Sequence, residues 1–275
     1  MTSKPFLTAA SFALALTLAT PASAQLAKLG PNQLVSMGHL HIRVKDTEAA
    51  KKFFVEMGGH MIKNGGLELV EFPGIYIQMR QMEPSAGTVG SVVNHVGFVV
   101  KDRAAFAAKM EAAGYKVEKP TGPGQYRMTS ADGLSIEIVE NKDIAAPIQF
   151  EHVHFAFQPE VTGEVQQWYQ KAFSATPGTP GTAGTRGRYK TGTVAGGMLT
   201  YGEAKEKQES TKGRALDHIG FDVPDLAATF ARMQALGIQF DAEPKVVNNG
   251  LTKNAFLTDP WGTYIEITEG IGPKQ

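Results

Sequence analysis

The chain of 275 residues sets 27 Lys+Arg against 27 Asp+Glu, is 42% hydrophobic and 20% charged, and contains no cysteine. That length can bury one large or two medium cores, and zero net charge argues against the basic stripe of a nucleic-acid footprint. Without cysteine there is no disulfide, thiolate nucleophile, zinc finger or iron–sulfur ligand, so any metal must be held by His, Glu, Asp, Gln or similar groups.

Residues 1–24 read as a secretory signal. Lys4 supplies a basic start, residues 6–19 are apolar, and Ala22-Ser23-Ala24 gives a small-x-small cleavage site before Gln25. The apolar run is too short to span a membrane, and no later segment reaches 18 uninterrupted apolar residues. A soluble periplasmic or secreted protein is expected, with no membrane or nucleic-acid partner. Association into a homodimer is left open.

Four segments then repeat one pattern. They are His39-Leu-His-Ile-Arg-Val-Lys-Asp46, His95-Val-Gly-Phe-Val-Val-Lys-Asp102, His152-Val-His-Phe-Ala-Phe-Gln-Pro159 and His218-Ile-Gly-Phe-Asp-Val-Pro-Asp225. Their first histidines lie 56, 57 and 66 residues apart. Apolar residues at every second position predict strands with one buried face, and put all four histidines on the opposite face. Helices are predicted after each strand, over 47–57, 103–113, 162–173 and 225–236, with Gly58, Gly114 and Gly237 closing three of them. Strand signals return at 67–72 and 75–79, at 126–129 and 134–139, at 189–194 and 198–201, and at 255–258 and 264–268.

The unit is therefore a strand, a helix and two or three further strands, present four times. One unit cannot cover both faces of its sheet, so units should pair into cups, with helices outside and histidines inside. The fold class expected is α+β, with four βαβββ modules pairing into two cup-shaped mixed sheets. Consecutive modules are taken together, giving one domain over 25–145 and another over 146–275, while the pattern leaves open which sheets meet.

A second set of residues runs in register with the histidines. Glu137 lies 42 residues after His95, Glu266 lies 48 after His218, and Gln78 lies 39 after His39. In the third module Thr200 stands at the equivalent place, 48 after His152. A lone histidine on a strand ordinarily packs or hydrogen-bonds a neighbour. Four in phase, with two glutamates in register, point to metal binding.

The segment 218–225 and the run Thr258-Asp-Pro-Trp-Gly-Thr-Tyr-Ile-Glu266 resemble the vicinal oxygen chelate superfamily. It includes glyoxalase I, methylmalonyl-CoA epimerase, extradiol dioxygenases and bleomycin-resistance proteins. In that family the first-strand and last-strand residues of two paired modules hold the metal. For consecutive modules, the resemblance implies one site of His39, Gln78, His95 and Glu137. It implies another of His152, His218 and Glu266, with Thr200 at the fourth place. The metal would be Fe, Zn, Ni, Co or Mn, acting as a Lewis acid on adjacent oxygens of a small substrate.

Isomerase or lyase chemistry would use Glu137 or Glu266 as a base. Two histidines and one carboxylate also make the triad of non-heme iron oxygenases, so a dioxygenase is the alternative. The ring-cleaving members also carry an acid/base His and a Tyr near the metal. No His lies between His154 and His218, and Phe256 occupies the place of that Tyr. A non-catalytic protein that sequesters a small ligand is a third reading. His41 and His154 share the cup face with the ligands. Arg43 and Arg80 would face the first cup, where they hold a substrate carboxylate or pair with a cup glutamate. His60 is placed in a surface loop, Trp168 and Tyr169 in the core, and residues 174–187 in a Gly/Pro-rich connection.

Overall fold

The computed structural model describes residues 26–121, 124–178 and 189–273. The expected signal segment lies outside these, as does 179–187 of the Gly/Pro-rich connection. Among the described residues no helix is long and apolar enough to cross a membrane.

The four modules follow in chain order. The first holds β1 (Ser36–Val44), α1 (Thr47–Met57), β2 (His60–Asn64), β3 (Leu67–Phe72) and β4 (Ile75–Gln81). The second holds β5 (Val93–Val100), α2 (Arg103–Ala112), β6 (Tyr126–Thr129) and β7 (Ser135–Glu140). The third holds β8 (Ile148–Phe157), α3 (Thr162–Phe173), β9 (Thr176–Gly178), β10 (Lys190–Val194) and β11 (Gly197–Glu203). The fourth holds β12 (Leu216–Asp222), α4 (Leu226–Ala235), β13 (Lys245–Val247), β14 (Thr252–Thr258) and β15 (Tyr264–Glu269).

Local signals account for the helix boundaries. Asp46, Asp102 and Asp225 cap α1, α2 and α4, accepting hydrogen bonds from backbone N–H groups of the first turn. Gly58 ends α1 in the left-handed region at φ 115°, where a side chain would be strained. The short strands β2, β9 and β13 carried little alternation and escaped the sequence reading. His60 opens β2 and is exposed, rather than lying in a loop.

Pairing of the modules departs from chain order. One eight-stranded sheet runs β13-β14-β15-β12-β1-β4-β3-β2, joining the fourth module to the first. The other runs β6-β7-β5-β8-β11-β10-β9, joining the second to the third. Consecutive modules one and two, grouped over 25–145, therefore do not share a sheet, nor do modules three and four. Their contact is instead through side chains. Phe72 of β3 meets Phe98 of β5 with ring centroids 4.9 Å apart, and Phe173 of α3 stacks on Phe221 of β12 at 4.3 Å. Hydrogen-bond edges and apolar faces are thus satisfied by different neighbours, and a face pattern alone does not say which neighbour takes the edge.

The apolar faces form the core as their alternation requires. Leu40, Phe98, Phe155, Phe221 and Ile265 are fully buried, and Ile42 is nearly so. Tyr169 is buried too and donates to Asp259 Oδ2 at 2.9 Å. Truncating Phe221 to Ala should cost about 3–5 kcal/mol, the usual penalty for emptying an aromatic site, read as a lower urea midpoint at unchanged slope.

Candidate metal centres

The first cup is built by modules one and four. Strand β1 turns His39, His41 and Arg43 to one face and Leu40, Ile42 and Val44 to the other. It runs antiparallel to β12, with His41 opposite His218 and His39 opposite Gly220. On its other side it runs parallel to β4, with Gln78 beside His41. Strand β15 adds Glu266. His39 Nε2 and His218 Nε2 each lie 2.9 Å from Glu266 Oε2. Asn254 Nδ2 donates to the other oxygen, Oε1, at 2.8 Å. One possible donor atom from each of His39, His41, His218 and Glu266 lies within 4.8 Å of the others. The mouth is a cavity of about 260 Å³, lined in part by Arg43, Gln78, Arg80, Lys212, Phe256 and Tyr264.

Modules two and three build the second cup in the same way. His95 faces His154 across β5 and β8, and Gly97 faces His152. His95 Nε2 lies 2.9 Å from Glu137 Oε2, and the same oxygen accepts from Arg127 Nη2 at 3.0 Å. Thr200 is fully buried, beside His154. The cavity here is about 560 Å³.

The residue before a histidine fixes the ring in three of the four first-strand positions. Nδ1 of His95 meets Asn94 Oδ1 at 2.9 Å, Nδ1 of His152 meets Glu151 Oε2 at 2.8 Å, and Nδ1 of His218 meets Asp217 Oδ2 at 2.9 Å. An acceptor on Nδ1 sets the tautomer and orients the ring, leaving Nε2 for the cup, which is how metal-binding histidines are held. The donor sets therefore fit a divalent ion. Removing the acceptor beside His218, in Asp217→Ala, should lower metal affinity of the first cup about 10–100-fold by titration calorimetry.

The carboxylates of the first cup act on His218. Burial works against its charged form, but hydrogen bonds to Asp217 and Glu266 hold its pKa above the ordinary value. Burial likewise opposes ionisation of Glu266, yet His39 and His218 hold it well below the usual carboxylate range. A divalent ion there would take the place of a proton between two carboxylates. Asp217 also accepts from Arg43 Nε at 2.7 Å, so that arginine is fixed at the cup wall.

Three further cup histidines, His41, His95 and His154, are pushed toward the neutral form. Burial, with neighbouring imidazoles, brings His41 down to about 3 and His154 to about 2. Burial lowers His95 to about 4 against the pull of Glu137. These groups bind protons more weakly folded than unfolded. Their contribution is complete above about pH 6.5 and is lost as pH falls toward about 4 for His95, 3 for His41 and 2 for His154. The metal-free protein should lose up to about 1.4 kcal/mol per pH unit for each such histidine, and melting curves from pH 7 to 5 measure it.

All the predicted site residues reach a cup, but in other company. The expected set of His39, Gln78, His95 and Glu137 is divided between the two cups. So is the set of His152, His218 and Glu266. The cups hold His39, Gln78, His218 and Glu266 together, and His95, Glu137, His152 and Thr200 together. Each cup also holds a further histidine, His41 or His154, on the cup face where the sequence reading placed it. Asn94, Glu151, Asp217, Asn254, Lys212 and Tyr264 were missed, although a polar residue directly before the histidine was a readable signal for three of them.

Comparison with known proteins agrees with this architecture. The family model of the glyoxalase/bleomycin resistance protein/dioxygenase superfamily matches residues 36–137 and 173–267. A lactoylglutathione lyase of Pseudomonas aeruginosa is 33% identical over 90 residues, which are 30% of this chain and 49% of that protein. The chain thus spans about half the length of the curated relative it matches. Glyoxalase I from Zea mays superposes with a TM-score of 0.65 at 17% identity, covering 86% of this chain and 92% of the other. A provisional dioxygenase from Bacillus subtilis gives 0.63 at 13% identity, covering 88% and 87%. At these identities the two structures show a shared fold. With the family model matched over most of its length, the chain belongs to the glyoxalase/bleomycin resistance protein/dioxygenase superfamily.

Proposed function

We propose that this protein is a secreted, metal-dependent lyase or isomerase that acts in its first cup on a small, oxygen-rich anion. The observation that carries this reading is the placement of Glu266 Oε2, 2.9 Å from both His39 Nε2 and His218 Nε2. A divalent ion held by His39, His218 and Glu266, with Gln78 at the same cavity, would supply Lewis-acid chemistry to adjacent substrate oxygens.

The chain's own residues supply the rest. Arg43, Arg80 and Lys212 bring positive charge to a small cavity, which favours a carboxylate or comparable oxyanion. Arg43 is held by Asp217, so its remaining donors are aimed without further ordering. Glu266 is hydrogen-bonded at both oxygens, which suits a ligand better than a base. The buried Nδ1 of His41 has no hydrogen-bond partner among the described residues, which leaves it a free nitrogen in the cup for a substrate proton. The likeness to a lactoylglutathione lyase supports proton-transfer chemistry of this kind. The secretory reading of residues 1–24 argues for a substrate other than a glutathione adduct or CoA ester, which are mainly cytosolic.

The test is solvent exchange. Incubated in D₂O with Co(II), Ni(II) or Zn(II) and a panel of small α-hydroxy aldehydes and acids, the protein should replace an α-proton of one of them, seen by NMR. His41→Ala should lower that rate at least 100-fold while keeping its metal, a typical loss for a general base. No exchange with any metal and any compound would refute the reading. Mass spectrometry of protein secreted by a bacterial host should find a mature chain beginning at Gln25.

A dioxygenase is the second reading, and module pairing favours it more than the sequence did. His41 comes within 4.4 Å of His218, ring centroid to centroid, and Tyr264 lies 5.4 Å from the same ring. A histidine and a tyrosine beside His218 in the first cup support this reading. Oxygen uptake by the Fe(II)-loaded protein with catechol would establish this reading in place of the first.

A further inference from the structure

We propose that Arg43, Arg80 and Lys212 make a second oxyanion subsite at the mouth of the first cup, so that the substrate is a short dianion. It would be an α-hydroxy or α-oxo acid whose far end carries a further carboxylate or phosphate. This deepens the reading of the first cup as the reacting site and rests on it. The two arginines form a row of their own. Arg43 is the direct neighbour of Arg80 in the parallel β1–β4 pair, as His41 is of Gln78. Two residues of strand set the arginine row roughly 7 Å beyond the row of His41 and Gln78. All four residues line the same cavity of about 260 Å³, and a short carbon chain spans the interval.

The second cup shows that the fold does not demand this pair. The counterparts of Arg43 and Arg80 in the third module, two residues beyond His154 and Thr200, are Ala156 and Gly202, again direct neighbours. A Cβ at Gly202 would run into Nε2 of His154, whose ring takes up the space there. The acid that aims Arg43 changes with it. Asp217, directly before His218, accepts from Arg43 Nε at 2.7 Å, whereas the residue directly before His95 is the uncharged Asn94. Arg127, which lines the second cup, donates to Glu137 instead. The arginine pair and its carboxylate are present together in one cup and missing together from the other.

Two guanidinium groups side by side on one sheet face repel each other. Asp217 offsets the charge of Arg43, but Arg80 has no acidic partner among the described residues although it lines the cavity. Lys212 completes the subsite. Its Nζ lies 4.2 Å from the centre of the Tyr264 ring and 3.4 Å from Asp241 Oδ2. That ion pair is solvent-exposed and therefore weak, which leaves the ammonium free to turn to a bound anion. An oxyanion set between the arginines takes up paired N–H donors and relieves their repulsion.

The experiment is calorimetric titration of the full chain, incubated with Zn(II) and dialysed free of excess, against lactate, malate and 3-phosphoglycerate. All three are α-hydroxy acids, and only the last two carry a second oxyanion. At least one of these two should bind about 10–100-fold more tightly than lactate, the gain expected of charge-assisted hydrogen bonds. Whichever binds more tightly identifies the second group as carboxylate or phosphate. Arg80→Ala, at an exposed position, should erase the preference while metal content stays at the wild-type level, and Arg80→Lys should restore part of it. Equal affinity for all three compounds in wild type would overturn the proposal. So would a preference that survives Arg80→Ala, or no binding of either dianion at millimolar concentration. Failure of the lyase or isomerase reading is distinguishable, since it abolishes α-proton exchange and leaves this binding preference in place.

Discussion

Glu266→Ala should lose the metal of the first cup and all turnover that depends on it. The carboxylate is the sole anionic member of that donor set, and its loss should weaken binding by more than the roughly 10–100-fold that follows from losing a hydrogen-bond partner behind a ligand. The same change strips a hydrogen-bond partner from two buried histidines, so the metal-free variant should also be less stable, by up to about 3 kcal/mol. Glu266→Gln separates the two effects. It keeps a side chain of the same shape and hydrogen-bonding reach, so stability should largely return while metal binding does not. Wild-type metal affinity in either variant would mean that Glu266 is not a ligand.

Gly220→Ala should be as damaging as loss of a ligand, although position 220 carries no functional group. Gly220 stands opposite His39 across the β1–β12 pair. A Cβ there would fall on Nδ1 and Cε1 of the His39 ring, which is fully buried and has nowhere to retreat. Either the ring leaves its place under Glu266 or the two strands separate. Overpacking of this kind costs about 1–3 kcal/mol, and moving His39 removes a metal ligand as well. Melting temperature and first-cup metal content should therefore fall together. A variant that kept both at wild-type level would contradict the packing described for this strand pair.

Much of this was readable from the chain. Strict alternation in the segments beginning at His39, His95, His152 and His218 revealed the modules, the cup face and the buried face. Glu137 and Glu266 could be placed on that face by counting. Pairing could not be read this way, because every module offers the same kind of hydrogen-bond edge and the same kind of apolar face. A finer signal was nevertheless present. Modules one and three read His-x-His, at 39–41 and 152–154, while modules two and four read His-x-Gly, at 95–97 and 218–220. The first histidine of each His-x-His strand needs a glycine opposite it, so each such strand must pair with a His-x-Gly strand. That rule excludes pairing module one with module three, or two with four. It leaves two arrangements, of which the protein adopts the one joining first to fourth. Arg43 and Asp217 illustrate what stays hidden: they sit 174 residues apart, and only the completed sheet brings them to 2.7 Å.

Anomalous scattering from crystals grown with Mn(II) or Co(II) tests the central claim most directly. The account predicts an anomalous peak in the first cup bonded to His39, His218 and Glu266, residues contributed by the first and fourth modules, at about 2.0–2.2 Å from each donor. A peak that joined His39 to His95, or no peak between His39 and His218 in metal-saturated crystals, would contradict it.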